Sequence, residues 1–504
     1  MPMTRKVDFI IIGSGFAGSI MAMILRRLGK SVVMLEKGKH PRFAIGESST
    51  PLANLLLEEL AQRYDLPDLA TFSKWGTWQA AHPEIPCGLK RGFTFYKHQF
   101  GHEVDFRDRS QQLLVAASPH DRVADTHWYR PDFDAYLAHS ARAMGAELLE
   151  EAKFELVWRE EEDWTVHVQA PKVFSVDAEF LIDASGPRGR LWRELKLDTW
   201  DDAWTPPRAN FPHNYPKTEA LYAHFKGVRR LDVADASLPF PADDAAVHHV
   251  FDGGWIWILR FNNEIVSAGA SVTQKLAAEL NLREGASAWA RLLQRLPTVR
   301  SLFANATPAT NFIHQPQVAF ATMPAHFRWA MLPSAAGFVD PLFSTGFVLT
   351  LLGISRLAEI FEKGGADEDA LAFYAQSTLR ELNQTGTLVG AAFRAFDRFD
   401  EFAEIARVYF ASALWSETLR RLGRKTPEFL FANDPSAVWM IKELRAGRGA
   451  TERDRFLAKY DLGGLTDCSR RNWHPALASD LFENAQKIPA TLDEIKSMLA
   501  KCGF

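Results

Sequence analysis

The alternation of apolar and polar positions predicts a strand, a turn and a helix at the start of the chain. An apolar run at residues 9–12 is followed by a glycine-rich segment at 13–18. A second apolar run, at 31–35, ends at the acidic residue Glu36. Continuous apolar runs of this length are typical of strands buried on both faces of a parallel sheet. The pattern therefore predicts a β–α–β unit over residues 7–36.

The rest of the chain divides into regions of strand spacing and regions of helical spacing. The predicted helical segments and the mostly helical C-terminal region are 51–60, 135–144, 347–362 and 366–504. The predicted strands and the strand-rich region are 147–158, 164–169, 180–183 and 208–327. Thr491 and Glu494 have the spacing of a capping box that opens a last helix. The succession predicts an α/β fold with a helical C-terminal region.

Composition narrows the class of protein. The 504 residues carry a formal net charge of −4 without a basic cluster, which argues against a nucleic-acid partner. No apolar run approaches the roughly 18 residues of a membrane span, so no membrane partner is expected. The three cysteines are too few and too scattered for a disulfide framework or a metal site, and they favour a cytoplasmic protein. They are Cys87, Cys468 and Cys502.

The glycine-rich segment has the spacing of a dinucleotide-binding turn. Gly13 allows the tight turn, Gly15 lets backbone N–H groups approach a pyrophosphate, and Gly18 lets the helix pack closely on the sheet. Glu36 lies where an acidic residue accepts hydrogen bonds from a ribose. No second unit of this kind follows in the sequence, so a bound flavin would be reduced by another protein or by transiently bound NAD(P)H.

Five motifs in order make the first 360 or so residues resemble the flavin-dependent halogenases, which have the FAD monooxygenase fold. The third matches a Lys-x-Gly-x-x-Phe pattern of halogenases that act on phenols and pyrroles, and the fifth a Phe-x-x-Pro-x-x-Ser-x-Gly pattern. The five are residues 13–18 with Glu36, 46–51, 90–95, 254–258 and 338–346.

The resemblance implies FAD as cofactor and a division of the chain around it. The implied parts are an FAD-binding Rossmann-like domain of the glutathione-reductase type at 1–207, a substrate-side β-sheet at 208–330, a return to the FAD domain at 331–365 and a helical C-terminal region at 366–504. The implied FAD-binding residues are Gly13, Gly15, Phe16, Ala17, Gly18, Glu36, Gly46, Glu47, Ser48, Arg130, Asp183, Gly186, Asp340, Pro341 and Gly346.

Lys90 is the candidate catalytic residue. It lies between apolar segments, and burial there would lower the pKa of its amine and leave a nucleophile or a hydrogen-bond donor. Arg91 and Lys97 lie close by, so the alignment of the motif leaves open which of these residues is the catalytic one. The resemblance implies that Lys90 captures or orients hypohalous acid formed at the flavin.

Two further motifs concern the halide and the substrate. Trp255 and Trp257 alternate along a predicted strand and should share one face. The resemblance implies that they separate substrate from flavin. Backbone N–H groups of Ser344, Thr345 and Gly346, at a helix start, can hold an anion, and the resemblance implies a halide. Phe343 stands where tryptophan-type halogenases have a glutamate, which favours a phenol-like substrate.

The resemblance therefore implies an FADH2-dependent halogenase that uses O2 and chloride or bromide to halogenate an electron-rich aromatic ring. A transient flavin reductase would supply reduced FAD, and the small aromatic substrate would be either free or tethered to a carrier protein. The alternatives are an FAD-dependent aromatic hydroxylase, another oxidoreductase of this fold such as a prenyl-chain reductase, and a flavin-binding protein without catalysis. The aromatic pair Trp255 and Trp257 disfavours the prenyl-chain reductase.

Overall fold

The computed structural model of the chain describes most of its residues. They are 4–157, 163–169, 173–187, 189–195, 199–200, 216–231, 238, 240–316, 320–321, 323–365, 367–470, 472–474 and 478–503. The predicted domain boundary between residues 207 and 208, and the predicted strand end at Trp158, lie outside them.

Strands and helices are numbered here along the described part of the chain. The strands are β1 (Thr4–Ile12), β2 (Val32–Leu35), β3 (Cys87–Lys90), β4 (Gly92–Lys97), β5 (Gln112–Ala116), β6 (Asp125–Trp128), β7 (Glu147–Leu149), β8 (Phe154–Val157), β9 (Trp164–Val168), β10 (Phe174–Asp183), β11 (Thr199–Trp200), β12 (Thr218–Lys226), β13 (Ala246–Phe251), β14 (Gly254–Arg260), β15 (Val266–Thr273), β16 (Thr307–Pro308), β17 (Ile313–Gln315), β18 (Phe320–Ala321), β19 (Ala325–His326), β20 (Trp329–Met331) and β21 (Trp473–His474). The helices are α1 (Phe16–Arg27), α2 (Pro51–Arg63), α3 (Pro67–Thr71), α4 (Trp75–Ala81), α5 (Arg130–Ala143), α6 (Leu191–Glu194), α7 (Gln274–Leu280), α8 (Ala286–Arg295), α9 (Pro297–Leu302), α10 (Pro333–Ala336), α11 (Gly346–Glu362), α12 (Glu368–Arg394), α13 (Phe399–Arg421), α14 (Pro435–Arg445), α15 (Ala450–Tyr460), α16 (Ala478–Glu483) and α17 (Leu492–Cys502).

The predicted β–α–β unit forms the centre of the first sheet. Its strand order is β19-β20-β10-β1-β2-β7, and β1 runs parallel to both β2 and β10. Ile12 pairs with Leu35 on one side and with Asp183 on the other, so the three strands end level, beside the glycine turn. Ligands of open parallel sheets bind outside this carboxyl edge.

One predicted strand of this region is interrupted. The segment 147–158 forms β7 and β8 instead of a single strand, and Glu151 between them has a positive φ of 52°. The left-handed backbone turns the chain away from β2, so that β8 pairs with β9 instead.

The second sheet draws its strands from several parts of the chain. Its order is β16-β12-β15-β14-β13-β4-β5-β21, with β17 also paired to β12. It therefore uses β4, β5 and β21 from outside residues 208–330, and the domain boundaries stay a prediction. Strand β13 pairs in parallel with β4, which brings the segment that follows Lys90 into this sheet.

The two faces of β14 pack against different cores. Trp255 and Trp257 join the core shared with the first sheet, whereas Ile256 and Ile258 face helices α7–α9, as the alternation predicts. These helices lie inside a region whose pattern predicts mostly strands. Helices α7 and α9 have only seven and six residues, too few to distinguish helical from strand spacing. Helix α8 does have an i, i+4 apolar face at Ala288 and Leu292, which the prediction overlooked.

The predicted C-terminal helices are confirmed. Helix α12 packs on α11 and α14, and α13 packs on α2, α12 and α15. The capping box of Thr491 and Glu494 opens α17 as predicted. The α/β fold with a helical C-terminal region is thus confirmed, and every helix in the described part of the chain is too short or too polar to cross a membrane.

Candidate functional site

The glycine turn after β1 depends on backbone that only glycine accommodates. Gly13 has a φ of +96°, and its N–H donates to the carbonyl of Leu35 over 2.8 Å. A Cβ on Gly18 would lie 2.0 Å from the carbonyl oxygen of Gly13, so any larger residue would force α1 away from the sheet. Helix α1 begins at Phe16, and its Ncap, Gly15, has no side chain to occupy the amides of the first turn. This turn is shaped to receive a phosphate group.

Glu36 is buried at the end of β2 and is ionised there. Its Oε2 accepts hydrogen bonds from the N–H and hydroxyl of Ser14, both at 3.2 Å, and from Arg42 at 2.8 Å. Its Oε1 accepts the N–H of Gly38 at 2.9 Å and keeps a lone pair for one more donor. Burial alone would raise the pKa of this carboxyl, but the hydrogen bonds, with Arg42 first, lower it to about 2. A carboxylate with one acceptor site left suits a ribose hydroxyl.

Arg130 ties the start of α5 to the second motif. Its Nε and Nη2 donate to the two carboxylate oxygens of Asp134 at 2.7 and 2.8 Å, and its Nη1 donates to the carbonyl of Gly46 at 2.8 Å. Asp134 also accepts the N–H of Phe16 at 3.3 Å. Arg130 therefore positions the Gly46 turn against the first turn of α1.

The segment 46–50 runs beside β6 and leaves polar atoms without partners. Gly46 has a φ of +89°, and the carbonyl of Glu47 accepts the N–H of Trp128 at 2.6 Å. Glu47 Oε1 lies 2.7 Å from His224 Nε2, while Oε2 and the hydroxyl of Ser48 are buried without a hydrogen-bond partner among the described residues. Buried polar atoms are nearly always paired, so such orphans indicate a missing partner. The residues present here fit a bound polar cofactor.

Asp183 and Gly186 lie at the end of β10. The two oxygens of Asp183 accept three backbone N–H groups, from Ser185 at 2.9 Å, Arg190 at 2.6 Å and Leu191 at 2.8 Å. Gly186 has a φ of +78°, and a Cβ there would meet nothing within 4 Å. Asp183 therefore shapes the turn, and contact with a cofactor stays a prediction for both residues.

The motif at 338–346 forms a short turn that leads into α11. Asp340 accepts hydrogen bonds from the indole N–H of Trp255 at 3.1 Å, from the hydroxyl of Ser271 and from the N–H of Leu342 at 3.1 Å. Burial raises the pKa of Asp340 to about 6, although these hydrogen bonds act to lower it. Pro341 begins the single 3-10 turn that ends at Phe343. Asp340 therefore joins this turn to the tryptophan strand.

Helix α11 presents free amides at its start. Ser344 has a positive φ of 54°, and its N–H donates to the carbonyl of Pro341 at 2.9 Å, so this predicted donor is not free for an anion. The carbonyl of Thr345 accepts its first helical hydrogen bond from Leu349 at 3.1 Å. The N–H groups of residues 346–348 precede this bond and have no acceptor within the helix. The hydroxyl of Thr345 is buried without a partner in the described structure, and a Cβ on Gly346 would meet nothing within 4 Å. The helix start therefore faces an open space lined by donors.

The two tryptophans of β14 lie side by side. Their ring centroids are 5.6 Å apart, and the indole N–H of Trp257 donates to Ser267 at 3.3 Å. A Cβ on Gly269 of the neighbouring strand would come within 2.4 Å of the Trp257 ring. The glycine thus lets Trp257 lie flat against β15, and the pair forms a rigid aromatic wall.

Lys90 is fully buried opposite a carboxylate. It pairs with Asp125 across the antiparallel strands β3 and β6, and its Nζ donates to the carbonyl of Ser49 and lies 4.0 Å from the centre of the Phe93 ring. Burial lowers the pKa of the Lys90 amine, and Asp125 raises it back in part. Burial also lowers the pKa of the neighbouring His248 to about 3, so that ring is neutral.

The neighbouring cationic side chains, Arg91 and Lys97, donate their hydrogen bonds to other acceptors. Arg91 donates to Asp121 at 2.7 Å and to the carbonyl of Pro119 at 2.9 Å, and Lys97 donates to the carbonyl of Phe396. The structure thus brings Lys90, and neither Arg91 nor Lys97, to the buried pair with Asp125.

A cavity of about 180 Å³ lies beside this pair. Its walls come from the start of α2, from β4, from residues 115–119, 123 and 125, and from the C-terminal helices α13 and α17. Asn54, Phe93 and Asp125 line its inner end, together with Tyr409 and Phe410 of α13. Phe343 stacks on Tyr409, one of these lining residues, with ring centroids 4.9 Å apart. The sequence analysis did not predict Asp125, Asn54 or the α13 residues as part of the site. The one signal in the sequence was the carboxyl of Asp125 at the start of the strand 125–128.

Comparison with known proteins shows the family to which the chain belongs. The tryptophan halogenase family matches residues 126–404, and an NAD(P)-binding Rossmann-like domain matches residues 11–54. Tetracycline 7-halogenase of Kitasatospora aureofaciens is 27% identical over 428 residues, which cover 81% of this chain and 74% of that protein. Monodechloroaminopyrrolnitrin halogenase PrnC of Pseudomonas fluorescens is 27% identical over 409 residues, 79% of this chain and 69% of that protein.

A solved structure gives the same result for the fold. The halogenase PltM, crystallised with phloroglucinol and FAD, superposes with a TM-score of 0.79 at 24% identity over 92% of this chain and 99% of PltM. The family match covers more than half of the chain, and the predicted FAD cofactor is confirmed. The chain belongs to the tryptophan halogenase family and is an FAD-dependent halogenase.

Proposed function

We propose that this enzyme halogenates a phenol-like aromatic ring with hypohalous acid, which forms from O2 and chloride or bromide and is held by Lys90. The observation that carries the proposal is the buried Lys90, which lies opposite Asp125 in the register of β3 on β6, with Asp125 lining a mostly apolar cavity. A buried amine with a lowered pKa is a functional-site signature when it lies in a cleft. The bound phloroglucinol of PltM, a trihydroxylated benzene, supports a phenol as the substrate class.

The cofactor would be held at the carboxyl edge of the first sheet. The turn at 13–18 and the amides of α1 would bind its pyrophosphate, and Glu36 would accept a hydrogen bond from its ribose. When bound and reduced, FAD supplies the activation of O2 that oxidises the halide. We expect a separate flavin reductase to provide the reduced form, because the sequence has one dinucleotide unit.

The halide would lie at the start of α11. Backbone N–H groups and the positive end of a helix dipole hold an anion without a buried cation. The amides of residues 346–348 and the unpartnered hydroxyl of Thr345 supply such donors. The open space in front of Gly346 leaves room for the ion.

Lys90 and the tryptophans would divide the reaction between two compartments. Trp255 and Trp257 form a wall that keeps the aromatic substrate from direct contact with the cofactor. Lys90, opposite the cavity-lining Asp125, donates a hydrogen bond to hypohalous acid and directs its halogen toward the ring. The aromatic residues of the cavity hold that ring by stacking and exclude water.

The substrate class is tested by turnover with a panel of rings. The purified enzyme, with FAD, a flavin reductase and bromide, is given equal amounts of a phenol, a pyrrole and an indole, each free and carrier-tethered, and products are read by mass. We expect the brominated phenol to form at least about tenfold faster than the others, because its oxygen activates the ring and meets polar groups in the cavity. Faster bromination of pyrrole or indole would contradict the proposed substrate class.

A further inference from the structure

Asp125 has one carboxylate oxygen held in place and one that is unused. Asn54 Nδ2 donates to Oδ1 over 2.7 Å, whereas Oδ2 is buried without a hydrogen-bond partner among the described residues. Both Asp125 and Asn54 line the inner end of the cavity. A buried, unpaired carboxylate oxygen costs stability unless a ligand or proton satisfies it. The free oxygen therefore indicates a donor that arrives with the substrate.

Burial and the neighbouring Lys90 shift the pKa of Asp125 in opposite directions. Lys90 faces it from β3, and Glu417 and Arg421 act on it from α13, where Arg421 Nε donates to Glu417 Oε1 at 2.8 Å. Burial raises the pKa of Asp125, while Lys90 and Asn54 act to lower it. Burial moves the pKa of Lys90 toward neutrality from the other side. The two shifts bring the pKa of the acid and the pKa of the base closer together, as proton exchange with a bound substrate requires.

We propose that Asp125, held by Asn54, is the base that accepts the proton of the substrate's ring hydroxyl. This inference rests on the proposed function. As the ring carbon forms its bond to the halogen, the halogen–oxygen bond of hypohalous acid breaks, and its electron pair leaves with the hydroxide. Lys90 protonates this hydroxide to water, and the hydroxyl proton of the ring passes to Asp125.

The pair returns to its starting state in the second step. The intermediate is a ring ketone with hydrogen and halogen on the same carbon. Lys90, now neutral, removes that hydrogen as a proton, and Asp125 returns its proton to the ring oxygen. The net change replaces one ring hydrogen by halogen and releases water. Lys90 ends protonated and Asp125 ionised, so no further acid, base or oxidant is needed.

A base at Asp125 would make the site favour rings that carry a hydroxyl group. A phenol hydroxyl has an ordinary pKa of about 10, so it stays protonated until the attack on halogen draws electrons from the ring. A carboxylate within the cavity can then take the proton as the positive charge develops. Rings without an acidic hydroxyl leave Oδ2 of Asp125 unsatisfied and are disfavoured.

Asp125→Asn tests the proposal through the acidity of the substrate. The variant and wild type are compared on two phenols of similar size, one with ordinary acidity and one fluorinated so that it is ionised at the assay pH. We expect a loss of about a hundredfold or more on the ordinary phenol and of less than about tenfold on the acidic one, which needs no base. Asp121→Asn, the same chemical change at an exposed carboxyl, should leave both rates unchanged.

The possible results distinguish a wrong role for Asp125 from a wrong proposed function. An equal loss on both phenols would mean that Asp125 acts through Lys90 or the fold and would overturn the proposal, as would no loss on either. Wild type that brominates neither phenol would instead contradict the proposed function.

A second variant decides the matter if Asp125→Asn fails to fold, which circular dichroism and flavin absorbance report. In wild type the rate should fall in acid as Asp125 takes up a proton, and in alkali as Lys90 loses one. Asn54→Ala removes the hydrogen bond that lowers the pKa of Asp125, so the acid limb should move up by about one pH unit. An acid limb that stays in place would overturn the proposal.

Discussion

Replacing Lys90 with methionine is expected to lower the rate of halogenation by about a thousandfold, with FAD binding and the fold retained. Methionine keeps the length and apolar stem of the side chain but removes the amine that holds hypohalous acid. The change also removes the charge that lowers the pKa of Asp125, so that pKa should rise. The measurement is halogenated product by mass, with flavin absorbance and circular dichroism on the same sample.

Lys97→Met is the matched control for this prediction. Lys97 is half-buried, and its Nζ donates to the carbonyl of Phe396, away from Asp125. Its rate of halogenation should stay within about threefold of wild type. If Lys90→Met halogenates as fast as wild type, or if Lys97→Met is the variant that loses activity, the assignment of the catalytic lysine is wrong.

Gly346→Val is expected to reduce product formation about a hundredfold and to raise the KM for bromide. Its side chain would fill the open space before the amides of residues 346–348. The expected loss is of the size that follows when one donor to a developing anion is removed from an enzyme's active site, about a hundredfold to a thousandfold. The rate is measured against bromide concentration at saturating substrate, and flavin absorbance reports FAD binding separately.

A graded series makes this result specific for the anion. Gly346→Ala adds one methyl group where nothing lies within 4 Å, and alanine favours the helix, so the fold should be at least as stable. We expect the KM for bromide to rise in the order glycine, alanine, valine. If the KM for bromide is the same in all three proteins, the halide does not bind at the start of α11.

Local spacing was enough to predict the parts of the site that lie within one stretch of chain. The tight turn at Gly13, the close packing at Gly18 and the acid at Glu36 follow from residues a few positions apart, because short-range geometry forces each choice. The shared face of Trp255 and Trp257 follows in the same way from strand alternation. These features were predicted and then found in the structure.

The rest of the site depends on contacts between distant parts of the chain. The pairing of Lys90 with Asp125 requires the register of β3 on β6, which no local pattern specifies. The cavity needs α13 and α17 to close over the segment 115–125, and amphipathic helices do not reveal where their apolar face will dock. For the same reason the stacking of Phe343 on Tyr409 could not be anticipated.

We expect halogen, and not oxygen, to be transferred to the aromatic ring. The most direct test is the mass of the product formed by wild-type enzyme with FAD, a flavin reductase, O2 and a phenol, with bromide and in halide-free buffer. The expected result is a brominated phenol with bromide and an unmodified ring without it. Insertion of oxygen at equal yield in halide-free buffer would contradict it and identify an aromatic hydroxylase.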